Sequence, residues 1–185
     1  MTGQNDNRLD AAKTGSAGVP AQPRRNPFLR SAHIGRRLNQ LQLPFFQVMA
    51  PKGFGVLTTT GRKTGMLRRN CVRVIRDGDK AYLVMVGPAI YRKPREKATA
   101  DWLRNIRVNP GVRLRLRGGT VSGSAREFDD PAELERARQR YCETVNAFNY
   151  AECCFHRSGW PSRQKIQGLH SHWFSAGIPV VVDLE

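Results

Sequence analysis

The chain has 185 residues and a formal net charge of +16, from 31 Lys and Arg against 15 Asp and Glu. That length fits one domain with a buried core, and no stretch is apolar enough to span a bilayer. The charge favours an anionic partner: nucleic acid, an acidic membrane face or an anionic cofactor. The polar N-terminus lacks the apolar core of a signal peptide, so Cys71, Cys142, Cys153 and Cys154 are expected to be reduced and the protein cytoplasmic.

Residues 1–27 are polar, rich in Gly, Ala, Asn and Pro, and aperiodic, which predicts a disordered tail. Residues 28–50 form an N-terminal helical region. Phe28, Leu29, Ile34, Leu38, Leu41 and Leu43 recur at helical spacing with Arg30, Arg36 and Arg37 on other faces, and Pro44 is expected to stop the helix. This amphipathic segment either caps the core or contacts a membrane surface through residues 28–46. The remaining chain, 51–185, reads as one barrel domain.

Phe54–Thr60 is β-branched and aromatic, a strand. It runs into Gly61-Arg62-Lys63-Thr64-Gly65, a glycine-bracketed turn with two cations, and returns through Arg68 and Arg69 into the strand Leu67–Arg76. Such a turn can present N–H groups and cationic side chains to a phosphate or carboxylate. Asp77-Gly78-Asp79 predicts a hairpin into the strand Lys80–Val86. Residues 90–98 read as a basic loop. Thr99 or Asp101 is expected to cap a short helix through Trp102, Leu103 and Ile106, ended by Asn109-Pro110-Gly111.

Val112, Leu114 and Leu116 alternate with Arg113, Arg115 and Arg117, a strand with one wet face. Gly118-Gly119 turns it into a partner strand, Thr120–Phe128. Asp130-Pro131-Ala132-Glu133 starts a helix expected to run to about Phe148. Residues 151–176 read as irregular and aromatic-rich, and the apolar run Ile178–Leu184 as a strand buried on both faces. The fold expected is α+β, a small six-stranded antiparallel barrel with flanking helices.

The order and spacing of the Leu57–Arg69 run, the Asp77-Gly78-Asp79 hairpin and the Asp101–Pro110 segment resemble the deazaflavin (F420)-dependent nitroreductase and quinone reductase family. The resemblance implies a split β-barrel and hydride transfer from reduced coenzyme F420 to a small electron-poor acceptor such as a quinone or nitroaromatic. It implies a cofactor-binding set of Thr60, Arg62, Lys63, Thr64, Gly65, Arg68, Arg69, Trp102 and Asn105. Arg62, Lys63 and Thr64 would meet the phosphate and polyglutamate tail, Arg68 would flank the ring, and Trp102 and Asn105 would frame the loop. It also implies Tyr141 and Tyr150 as catalytic candidates for proton donation. The stretch after Val86 departs from the family pattern, and Arg92, Lys93 and Arg95 could replace a phosphate contact there.

Other chemistries stand beside this one. FMN is the alternative cofactor on the same barrel, and homodimers are common among split barrels. Nucleic-acid binding is disfavoured because the Arg113/Arg115/Arg117 strand has no exposed aromatics for stacking. Cys153, Cys154 and His156, with His170 and His172, have metal-ligating side chains, but adjacent cysteines are not a zinc knuckle, and no metal is expected.

Overall fold

Period-two alternation builds the centre of the molecule. In the computed structural model, which describes residues 32–87 and 99–185, six strands form a closed antiparallel barrel. They are β1 (Phe54–Thr60), β2 (Leu67–Asp77), β3 (Lys80–Met85), β4 (Gly111–Leu116), β5 (Gly119–Glu127) and β6 (Ile178–Leu184), in the order β1-β2-β3-β6-β5-β4. The helices are α1 (Ala32–Val48), α2 (Asp101–Ile106), α3 (Pro131–Glu143), α4 (Ala147–His156) and α5 (Arg163–Ala176). This is the split barrel with flanking helices that the sequence predicts.

Two pairings close the ring. β1 lies between β2 and β4, so Val56 faces Cys71 on one side and Arg115 on the other. β6 lies between β3 and β5, with Val182 opposite both Ala81 and Ala125. Alternate residues then point inward: Leu57, Val74, Leu83, Leu114, Val180 and Val182 share one interior cluster with Trp102, Leu103 and Ile106 of α2. Each such side chain, fully buried, contributes about 1.5–3 kcal/mol.

The residues between them point outward and need a cover. Ile75, Tyr82 and Val181 are covered by Ala137 and Tyr141 of α3 and Phe174 of α5. Phe46 of α1 joins Phe54, Val56 and Phe148, and the rings of Phe54 and Phe148 meet edge-on with centroids 4.8 Å apart. Glu133 anchors α3 to the barrel: its carboxylate accepts from Arg126 Nη1 and Nη2 at 2.9 and 3.0 Å and pairs with Lys80 at 2.9 Å. Lys80 and Arg126 also reach Asp183 on β6. The hydrogen bonds from Arg126 hold the Glu133 carboxyl below its ordinary range.

The start of α3 follows its sequence signal: the Asp130 carboxylate accepts from Ala132 N–H at 2.8 Å, with Pro131 in the first turn. Other boundaries differ. α1 passes through Pro44 to Val48; proline removes one backbone donor, but Leu43 and Phe46 on either side are packed into the aromatic cluster. α2 begins after Ala100 with no side-chain cap, so neither Thr99 nor Asp101 is its N-cap. α3 stops at Glu143, because Thr144 and Asn146 adopt extended angles, and Asn146 starts α4 with its N–H donating to Asn149 Oδ1 at 2.8 Å. The stretch 151–176 is not irregular: it holds most of α4 and all of α5, the latter capped by Ser162, whose hydroxyl accepts from Lys165 N–H at 3.2 Å. The tail 1–27 and the basic segment with Arg92, Lys93 and Arg95 lie outside the described residues.

Candidate functional site

The glycine-bracketed turn is a closed, self-bonded loop at one pole of the barrel. Gly61 N–H donates to Met66 O at 2.9 Å, and Gly65 N–H donates to Gly61 O at 2.8 Å. Gly65 takes φ +67°, a left-handed angle that a side chain would strain. At Gly61 a Cβ would come within 3.0 Å of Met66 O, so the close approach needs the bare backbone.

Asn105 of α2 holds this loop from below. Its Oδ1 accepts from the Arg62 backbone N–H and from Arg62 Nη1, both at 3.2 Å, while its Nδ2 donates to Thr59 Oγ1 at 3.2 Å. Asn105 and Thr59 are buried. One amide therefore ties the turn, the inward face of β1 and α2 together. Arg62 Nη1 also pairs with the exposed Asp101 at 3.3 Å.

This arrangement separates the expected cofactor set. Arg62 is turned toward α2 and fastens the loop. Lys63, Thr64, Gly65, Arg68 and Arg69 are exposed, and the three cations among them have no ion-pair partner among the described residues. Thr60 is half-buried and sits opposite Leu67; the threonine bonded to Asn105 is Thr59, which sequence reasoning missed. Period two would have found it, since Thr59 shares the inward face of Leu57. Trp102 is only 8% exposed and belongs to the barrel interior, so it supports α2 from within. Beside the cations, Met66 and Leu67 are 61% and 54% exposed, an apolar shelf at the start of β2. The pole thus offers cationic donors beside exposed apolar side chains, suited to an anion with an apolar body.

The two tyrosines are not brought together. Tyr150 lies on α4 and is 39% exposed. Tyr141 is fully buried on α3, and the Arg73 guanidinium lies 4.6 Å over its ring. Burial raises its hydroxyl above the ordinary tyrosine range. A proton donor must reach its acceptor, and Tyr141 is enclosed beneath α3 and α5 where Tyr150 is exposed.

Arg73 is the centre of that second cluster, which the sequence reading did not single out. Its Nη1 donates to His170 Nε2 at 2.6 Å, and its Nη2 donates to Tyr141 O at 2.9 Å and Thr144 O at 2.8 Å. A guanidinium has only donors, so Nε2 must accept and His170 is neutral. Burial first, then the Arg73 charge, pushes His170 down to about 3. His156 packs edge-on against Trp173 with centroids 5.0 Å apart. Among the described residues no group of three or more His, Cys, Asp or Glu gathers as metal ligands.

The F420H(2)-dependent quinone reductase family matches residues 30–156. Among solved structures, an F420-H2 dependent reductase (FDR-A) is 20% identical and aligns with 72% of this chain and 95% of its own, at a TM-score of 0.44. A chain described as a domain-swapped dimer is 20% identical, covering 84% of this chain and 100% of that one, at 0.48. The heme storage protein HutZ of Vibrio cholerae is 13% identical, with 79% and 89% covered and a TM-score of 0.41. The match over 30–156, which takes in the Gly61–Met66 turn and the Asn105 anchor, shows that this chain belongs to the F420H(2)-dependent quinone reductase family and is an oxidoreductase.

Proposed function

We propose that this protein uses reduced F420 to reduce a quinone, with the Gly61–Met66 turn holding the anionic part of the cofactor. The observation that carries this reading is the set of unpaired exposed cations, Lys63, Arg68 and Arg69, around a turn fixed by Asn105. The donor set fits the group: a phosphate and a polycarboxylate tail call for several Lys and Arg donors, and the turn carries no carboxylate of its own. When bound, reduced F420 supplies the hydride.

The protein's own part is binding and orientation. Lys63, Thr64 and Arg69 would meet the anionic tail, and Arg68 with Met66 and Leu67 would border its apolar ring. Arg62 would position the loop as well, since Asn105 and Asp101 both hold its Nη1. Tyr150, 39% exposed, would serve as proton donor. Nitroaromatics are acceptors of the same electron-poor kind.

The test is a fluorescence titration of F420 with the purified protein, followed by turnover of reduced F420 with a soluble quinone. The Lys63→Ala/Arg68→Ala variant should bind F420 at least about tenfold more weakly, roughly 1.4 kcal/mol, with an unchanged thermal midpoint. Wild-type protein that neither binds F420 nor oxidises its reduced form in the presence of quinone would overturn the reading.

A further inference from the structure

The barrel has a concave feature at the pole away from the cationic turn. A cavity of about 390 Å³ opens where the start of β1, the end of β2 and the β4–β5 hairpin meet. Six residue steps along β1 separate Phe54, on its wall, from Thr60, at the turn, which is about 20 Å at the rise of a strand. The volume falls within the range of small-molecule sites.

Its chemistry is one-sided. Phe54, Val74, Ile75, Leu116 and Val121 supply apolar walls. Lys52, Arg76 and Arg117 stand among the lining residues, and none of those residues is acidic. Among the described residues these three cations make no ion pair; Arg76 Nε donates only to Gly78 O at 3.1 Å. Elsewhere on this protein cations near carboxylates pair with them, as Arg126, Lys80, Arg140 and Arg107 do. Asn146, also on the wall, holds a buried Nδ2 with no hydrogen-bond acceptor.

We propose that this cavity is a second ligand site, for a small amphipathic anion: an aromatic or short acyl body carrying one carboxylate. The apolar walls take the body, and Lys52 and Arg117 take the charge. The site is separate from the cofactor turn in position and in residues, and it does not depend on the redox reading above.

The probe is 2-naphthoate, with the neutral 2-naphthamide as control, titrated calorimetrically into the full chain. Wild type should bind naphthoate saturably in the sub-millimolar range and the amide about tenfold more weakly. Lys52→Ala/Arg117→Ala, which alters two exposed side chains, should bring naphthoate down to the level of the amide. Val121→Trp, which puts an indole against the wall, should abolish binding of both, its folding checked by circular dichroism and the thermal midpoint. F420 titrations should be unchanged in the Lys52→Ala/Arg117→Ala variant. No saturable binding by wild type, equal affinity for the two probes, or loss of naphthoate binding in Lys63→Ala/Arg68→Ala instead would each overturn the proposal. The last result would place the anion at the cofactor turn.

Discussion

Two arginines of one hairpin, Arg62 and Arg73, show how differently this barrel uses the same side chain. Arg62 is partly exposed and bonded to a buried amide and an exposed carboxylate at the rim. Arg73 is 8% exposed and sealed under α3 and α5, where it bonds a neutral histidine and two backbone carbonyls and stacks on Tyr141. The first fixes the shape of a loop whose other cations stay open to a ligand. The second joins three elements of the fold, and no ligand can reach it. Charge alone does not mark a binding residue; what decides is whether the partners leave the site accessible.

This contrast can be broken at either arginine. The largest effect is expected from Arg73→Met, which leaves His170, Tyr141 O and Thr144 O without their donor. Unsatisfied buried groups cost about 1–3 kcal/mol each, so urea denaturation should show a loss of roughly 3–5 kcal/mol. A loss under about 1 kcal/mol would mean that the cluster is not a structural joint.

Acid should weaken the same region next. His170 has a folded pKa of about 3, well below the ordinary 6.5, so the unfolded chain binds its proton first. The stabilisation is therefore complete above pH 6.5 and declines as pH falls toward 3, by up to about 1.4 kcal/mol per pH unit from this residue. His156, pushed down to about 4 by burial, acts in the same direction. His170→Gln keeps an acceptor for Arg73 and should flatten the slope between pH 6 and 4, read from denaturation midpoints; an unchanged slope would assign it to other groups.

The smallest change in stability is expected on the Arg62 side. Asn105→Ala unpairs the Arg62 N–H, Arg62 Nη1 and Thr59, at a cost of about 1–3 kcal/mol. F420 affinity should fall about tenfold with it, although Asn105 is buried and would touch no ligand. Asn105→Asp keeps the acceptor for Arg62 and should recover most of that affinity. Equal losses in both variants would reduce Asn105 to a packing residue.

What the sequence reveals divides along the same line. Strands declare themselves by alternation, as Val112 and Leu114 do against Arg113 and Arg115, and turns by Gly65 and Gly78, because those signals are local. The Asp130-Pro131 helix start is local too. The Arg73 cluster is not: His170 is 97 positions away, and nothing near Arg73 distinguishes it from Arg76. α5 was legible in principle, since Ile166, Leu169 and Trp173 lie on one face behind the Ser162 cap, but its Gly, His and Ser content masks the pattern. The Asn105 anchor needed the family resemblance, because its contacts with Arg62 span 43 positions.

The place of β6 has a kinetic consequence. β1, β2 and β3 can pair as a meander through short turns, yet β3 keeps an open edge until β6 arrives, and Lys80 meets Asp183 across 103 positions. Closing so long a loop is entropically slow compared with forming a hairpin. During that interval the unpaired edge of β3 is exposed to other chains. The Lys80, Arg126, Glu133 and Asp183 charges, drawn from β3, β5, α3 and β6, come together only once β6 has docked, so they latch the ring at the step that removes its last sticky edge.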